Sequence, residues 1–158
     1  MNRTVSDIVA ETERATRAIW LECPDEIMKI REGHSARGTG TRGQFFTTLV
    51  FAEAESRTLS DGLLWGLVEL IDAGSPDLRT LTALTDTIVS EKAQFFEFLG
   101  LSDVCERLND FVAGCRDAQT LEELRALVIA TMGYVNRVQM WIDVVFPWGV
   151  ANEFRRVS

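Results

Sequence analysis

The chain has 158 residues, of which 46% are hydrophobic and 25% charged, with a formal net charge of −8. Such a length makes one domain able to bury roughly 70% of its unfolded surface, and the acidity argues against nucleic acid as a general partner, because phosphate binding needs a basic field. No stretch approaches the ~20 apolar residues of a membrane span, and the polar start MNRTVSDIVAETERATR lacks an apolar signal core, so a cytoplasmic protein is expected.

Apolar spacing predicts helices almost throughout. Thr4 and Asp7 form a capping-box pattern, and Val5, Ile8, Val9, Thr12, Ala15, Ile19 and Trp20 trace one helical face until Cys23-Pro24. Pro24, Asp25 and Glu26 open a short helix through Arg31, ended by Gly33, and a glycine-rich loop runs to Gly43. QFFTTLVFAEAES has strand-like composition, but a lone strand would have no partner. It reads as a buried helix with Phe45, Leu49 and Ala52 on one face and Phe46 and Val50 on another.

Ser60 and Asp61 are expected to cap LLWGLVELIDA, which Gly74 ends before Ser75-Pro76. Asp77 opens LRTLTALTDTIVSEK, with Leu78, Leu81, Leu84, Thr85 and Ile88 in register, and AQFFEFLG reads as an aromatic turn. Ser102 is expected to cap a helix turning Val104, Cys105, Leu108, Phe111 and Val112 inward. A Thr120/Glu123 capping box starts the longest helix, with Leu121, Leu124, Val128, Met132, Val135, Ile142 and Val145 as its stripe, ended by Pro147. Residues 1–158 are thus expected to form a single all-α domain, a bundle of six or seven helices.

The loop RGTGTRGQFF carries Gly38, Gly40 and Gly43 in the G-x-G-x-x-G register of a dinucleotide-binding turn. That turn needs a buried strand before it, and DEIMKIREGHSA is too charged and irregular to be one. Lys29, Arg31, Arg37 and Arg42 gather here in an otherwise acidic protein, and guanidinium forks bind carboxylates with paired hydrogen bonds. Glycines let backbone N–H groups approach an anion, and a helix starting near Gln44 adds positive potential at its N-terminus. A carboxylate cradle fits better than a dinucleotide turn; the alternative is a surface loop with stray arginines.

Other chemistry is sparse. The single histidine, His34, and the lack of Glu-x-x-His predict no protein-bound metal or haem. Cys23, Cys105 and Cys115 form no C-x-x-C pair and are expected to be reduced, without a thiolate mechanism. Trp20, Trp65, Trp141 and Trp148 read first as core side chains and second as ligand platforms. Trp65 and Glu69 share a helix face, and Asn136, Gln139 and Asp143 make a polar stripe beside Arg137 and Trp141. Such a stripe lines a pocket between helices or is an ordinary solvated face.

Taken in order, RGTGTRGQFF, LLWGLVELI, YVNRVQMW and the terminal FPWG resemble the helical-bundle domain found at the C-terminus of cucumopine synthase and in stand-alone relatives. The resemblance runs from Ile19-Trp20 to about Gly149. It implies a Pictet–Spengler-type condensation, as in alkaloid biosynthesis, joining tryptophan or histidine to a 2-oxo acid or aldehyde with no cofactor. Cucumopine synthase also has a cyclophilin-like domain, to which nothing in this sequence corresponds.

The resemblance implies a site in which Arg37, Arg42 and Gln44 hold substrate carboxylate. Phe45, Phe46, Trp65, Trp141 and Trp148 hold the arene, beside Asn136 and Gln139. Glu69 and Asp143 compete to stabilise the cation and accept the proton, with His34 as an alternative shuttle. Against this lyase-type synthase stands a non-catalytic module binding a small carboxylate or a partner protein. A third reading, an oligomerisation domain such as a homodimer, rests on the excess of aromatics.

Overall fold

The structure is a computed structural model that describes residues 3–31, 34–35, 38–39, 42–74 and 77–145, with side chains for 3–30, 48–74 and 77–145. Among them are seven α-helices and one π-helix: α1 (Val5–Ala18), α2 (Asp25–Arg31), α3 (Arg42–Arg57), a π-helix (Thr58–Leu64), α4 (Trp65–Asp72), α5 (Leu78–Phe98), α6 (Ser102–Asp117) and α7 (Leu121–Val145). The all-α bundle expected from periodicity is what forms. Between α2 and α3 two short strands, β1 (His34–Ser35) and β2 (Gly38–Thr39), pair antiparallel, His34 opposite Thr39 and Ser35 opposite Gly38.

Local chemistry explains most helix ends. Thr4 Oγ1 accepts from Asp7 N–H while the Asp7 carboxylate accepts from Thr4 N–H, the reciprocal capping box expected for α1. Asp77 caps α5 through Thr80 N–H, and Thr120 Oγ1 caps α7 through Glu123 N–H, with Glu123 Oε1 accepting from Gln119 N–H. Gly74 and Gly100 close α4 and α5 with φ of +74° and +91°, a left-handed turn that costs glycine least.

Four expectations need correction. Ser60 and Asp61 do not begin a helix: α3, the π-helix and α4 follow one another without a break. Staying helical buries Leu59 and Leu64 completely, and the buried Ser60 hydroxyl bonds Asn136 of α7 instead of capping. AQFFEFLG is not a turn throughout: Ala93–Phe98 are the end of α5, because Ala93 and Phe96 extend the buried Leu81–Thr85–Val89 stripe, and only Leu99 and Gly100 leave the helix. Leu84 and Ile88 lie off that stripe and remain partly in solvent, as does Val50 on α3. Ser102 is not the cap of α6. Glu26 Oε1 on α2 accepts from Asp103 N–H at 2.7 Å, so the cap comes from 77 positions away.

The core is continuous from Ile8 and Ile27 through Leu49, Leu67, Phe96 and Phe111 to Val135 and Ile142. α5 lies along α6, while α7 packs on α1, α3 and α6. Lys92–Glu55, Arg116–Asp86 (2.6 Å) and Arg125–Asp72 (2.8 Å) tie neighbouring helices at the surface. Surface pairs of this kind add little each. No described helix is long and apolar enough to cross a membrane.

Candidate functional site

Arg125 of α7 pairs with Asp72 at the end of α4, and Asn136 pairs with Ser60 upstream, so these segments run antiparallel to α7. The chain preceding Ser60 therefore lies toward the C-terminal end of α7. The end of α1 is there too, since Trp141 Nε1–H donates to the Ile19 carbonyl at 2.5 Å. Beside it the Arg137 guanidinium lies 4.0 Å over the Trp20 ring, a cation–π contact, while Arg137 Nε is buried with no partner. One end of the bundle thus gathers Trp20, Asn136, Arg137 and Trp141. A π-helix is the less common packing of backbone and is frequent at functional sites; here it holds Ser60 against Asn136.

The residues singled out from sequence divide into three groups. Asn136, Gln139 and Trp141 share the last three turns of α7, with Gln139 and Trp141 half-buried and Asn136 bonded to Ser60. Trp65, 50% exposed, and Glu69 share the solvent face of α4, away from buried Leu67, Val68 and Ile71. Asp143 is likewise exposed near the end of α7. Glu69 thus stands at the solvent edge of its helix. In the third group, His34 contributes backbone to β1, and Arg42, Gln44, Phe45 and Phe46 form the start of α3, two residues earlier than expected. Their side chains, with Arg37 and Trp148 altogether, lie outside the described residues. Trp20, expected to face the core, lies past the end of α1 and is 52% exposed.

A cleft of about 360 Å3 opens between α1, α6 and α7. Arg14, Ala15, Ala18 and Ile19 line one wall, Asp103, Glu106 and Arg107 another, and Tyr134 the third, with Glu11 at its edge. Behind it Asp110 is held by two arginines: Arg3 Nη2 donates to Oδ1 at 2.5 Å and Arg107 Nη2 to Oδ2 at 2.6 Å. Arg3 also reaches Glu11 at 2.5 Å. Arg107 Nη1 is buried and has no partner, an expensive state for a charged donor. Burial pushes the Tyr134 phenol well above its usual range, so it remains a neutral donor.

Near the cleft, burial raises the Glu26 carboxyl to about 7; the Asp103 and Glu97 carboxylates add to this, and the N–H groups of Asp103 and Ser102 oppose it. Burial also pushes the Cys115 thiol up to about 12 and raises that of Cys105, so both stay protonated and poorly nucleophilic near neutral pH. No group of three or more His, Cys, Asp or Glu among the described residues could hold a metal ion.

Residues 5–144 match the cucumopine synthase C-terminal helical bundle domain. The chain belongs to that family. Among solved structures, McbB in complex with tryptophan superposes on 95% of the chain with a TM-score of 0.85 and 29% sequence identity. The chain spans about half of McbB, covering 48% of it. No curated protein matches the sequence.

For this helical bundle domain, the sequence pattern pointed to the α7 stripe but not to the cleft. Arg107 and Asp110 at i,i+3 could have been read as an ion pair. The Arg3–Asp110 contact, 107 positions apart, carries no local signal. Neither Arg14 nor Tyr134 was singled out by the sequence pattern.

Proposed function

We propose that this bundle binds an aromatic amino acid and catalyses a cofactor-independent Pictet–Spengler-type condensation with a 2-oxo acid or aldehyde. The observation that carries the reading is the match to tryptophan-bound McbB over 95% of the chain, within the cucumopine synthase C-terminal helical bundle family. In this reaction the substrate amine adds to the carbonyl and loses water to give an iminium ion. The arene carbon attacks that ion, and a base removes the proton from the attacked carbon, restoring aromaticity. The protein's work is to hold two substrates in contact, shelter the cation and accept one proton.

In this reading Arg37 and Arg42 receive the carbonyl partner's carboxylate near the N-terminus of α3, with Gln44. Trp65, Trp141, Trp148, Phe45 and Phe46 supply aromatic surface, and Asn136 and Gln139 polar contacts. Glu69, Asp143 and His34 are rivals for the proton. The exposure of Glu69 and Asp143 favours a second reading, a non-catalytic module that binds the amino acid as part of a larger assembly. Incubating the pure protein with tryptophan or histidine and candidate carbonyls, followed by mass spectrometry, separates the two. A cyclised product forming faster than in buffer supports the enzyme. Binding without product supports the module, and neither binding nor product overturns both.

A further inference from the structure

We infer that Ser60 is a positioning residue: it holds the Asn136 carboxamide so that Nδ2 faces outward as a donor to the oxygen of the carbonyl substrate. The inference rests on the condensation proposed above and adds to it a residue and a role. Ser60 behaves unlike other buried hydroxyls of the bundle. Thr12, Ser56 and Thr85 are buried too, and each donates to the carbonyl four residues back in its own helix, at 2.7–2.8 Å. Ser60, 1% exposed, donates instead across to Asn136 Oδ1 on α7. Its turn belongs to the π-helix, where the Ser60 carbonyl accepts from Trp65 N–H five residues on. That wider turn takes the hydroxyl out of reach of the usual carbonyl and aims it at the neighbouring helix.

The bond fixes which way the amide presents itself. A carboxamide has one acceptor oxygen and one NH2 group with two donors. With Oδ1 taken from beneath by a buried hydroxyl, the two N–H groups point away from Ser60. Asn136 is exposed, and its Nδ2 makes no hydrogen bond to the described residues. Gly133, one turn earlier on α7, would meet nothing within 4 Å of an added Cβ, so the approach on that side is open. Asp72–Arg125 at one end and Ser60–Asn136 at the other tie α4 and the π-helix antiparallel to α7. Trp65 and Glu69 lie between those ties, on the flank of α4 that carries Asp72. One seam therefore carries an aromatic ring, a carboxylate and a fixed pair of N–H donors.

The chemistry uses such donors at one step. The amine nitrogen bonds to the carbonyl carbon and the π pair moves to oxygen. Overall, two of the three ammonium protons leave with that oxygen as water, and one stays on the iminium nitrogen. Negative charge develops on the oxygen as the first bond forms, and a donor already fixed in place stabilises it most there. Asn136 transfers no proton itself.

The test follows condensation of tryptophan with pyruvate and with acetaldehyde by the whole chain. Asn136→Asp still accepts from Ser60 but has no N–H, and is expected to lower kcat/KM for either carbonyl at least ~100-fold. Acetaldehyde has no carboxylate, so its loss is not charge repulsion. Ser60→Ala is expected to lower the same constant roughly 10–30-fold, with KM for tryptophan within about twofold of wild type. Ser60→Thr, which keeps the hydroxyl, should recover most of that loss. A readout independent of turnover is the Asn136 side-chain NH2 signal in nitrogen-15 NMR, assigned by its absence in Asn136→Asp. Its order parameter is expected at about 0.8 in wild type and below about 0.6 in Ser60→Ala. If Ser60→Thr does not fold, this signal decides whether the hydroxyl holds the amide. An equally ordered amide in Ser60→Ala overturns the inference. So does a Ser60→Ala chain that melts lower yet keeps wild-type kinetic constants, since the hydroxyl is then structural only. Both results leave the proposed function standing. A wild-type chain that forms no cyclised product sinks the proposed function and takes the inference with it.

Discussion

Replacing Glu26 with Gln should make the protein more stable near pH 8 and leave it unchanged near pH 4. Glu26 Oε1 accepts from Asp103 N–H at 2.7 Å, a bond that a glutamine amide oxygen can also accept. What glutamine removes is a half-buried charge beside the Asp103 and Glu97 carboxylates. Those surroundings hold the Glu26 carboxyl at about 7 against an ordinary 4.5. Below 4.5 the group is protonated in both states and the burial of its charge costs nothing. As pH rises through 4.5 the unfolded chain ionises while folded Glu26 keeps its proton to about 7, so stability falls across that window and then levels. At about 1.4 kcal/mol per pH decade, a fully sealed group would lose roughly 3.4 kcal/mol. Glu26 keeps part of its surface in water, and screening cuts this to roughly 1.5 kcal/mol. Glu26→Gln should recover that amount near pH 8, raising Tm by roughly 3–6 °C. Urea denaturation followed by circular dichroism at both pH values measures it. Stability curves of wild type and variant that run parallel from pH 4 to 8 would refute the reasoning, as would a variant weaker at pH 8.

Phe111→Ala, at a fully buried position in α6, should cost about 3–5 kcal/mol in urea denaturation, because the neighbouring helices cannot close over the lost ring. Arg42→Ala should weaken binding of the carbonyl substrate by roughly 1.5–3 kcal/mol, with thermal stability nearly unchanged; unaltered affinity by calorimetry would remove the arginine from the site. Glu69→Gln should lower turnover at least about 100-fold if it is the base, with folding intact. Normal turnover in that variant and loss in Asp143→Asn would move the role to α7, and normal turnover in both would leave His34 to be tested.

The sequence by itself determined the helical class, most of the helix ends and much of the core, because these depend on neighbours within a turn or two. The Thr4/Asp7 capping box, the Asp77 cap and the glycine at 74 are chemistry between residues close in the chain. The stripe of Leu124, Val128, Val135 and Ile142 on α7 is set by the helical repeat alone. Which helix covers which face is set by packing between remote segments, and there the local pattern misleads. Serines at 60 and 102 are good caps in isolation. Burial of Leu59 and Leu64 keeps the first inside a helix, and Glu26 reaches across from α2 to satisfy an N–H beside the second. Glu69, flanked in sequence by aliphatic residues, faces solvent because Leu67, Val68 and Ile71 take the buried side of α4 and leave Glu69 and Leu70 outside. The cleft shows the same limit. Arg3, 107 positions away, joins Arg107 of the same helix on Asp110, and the pairing exists only because the start of the chain packs against α6. Periodicity says which residues of one helix turn inward; only the assembled bundle decides which charges meet there.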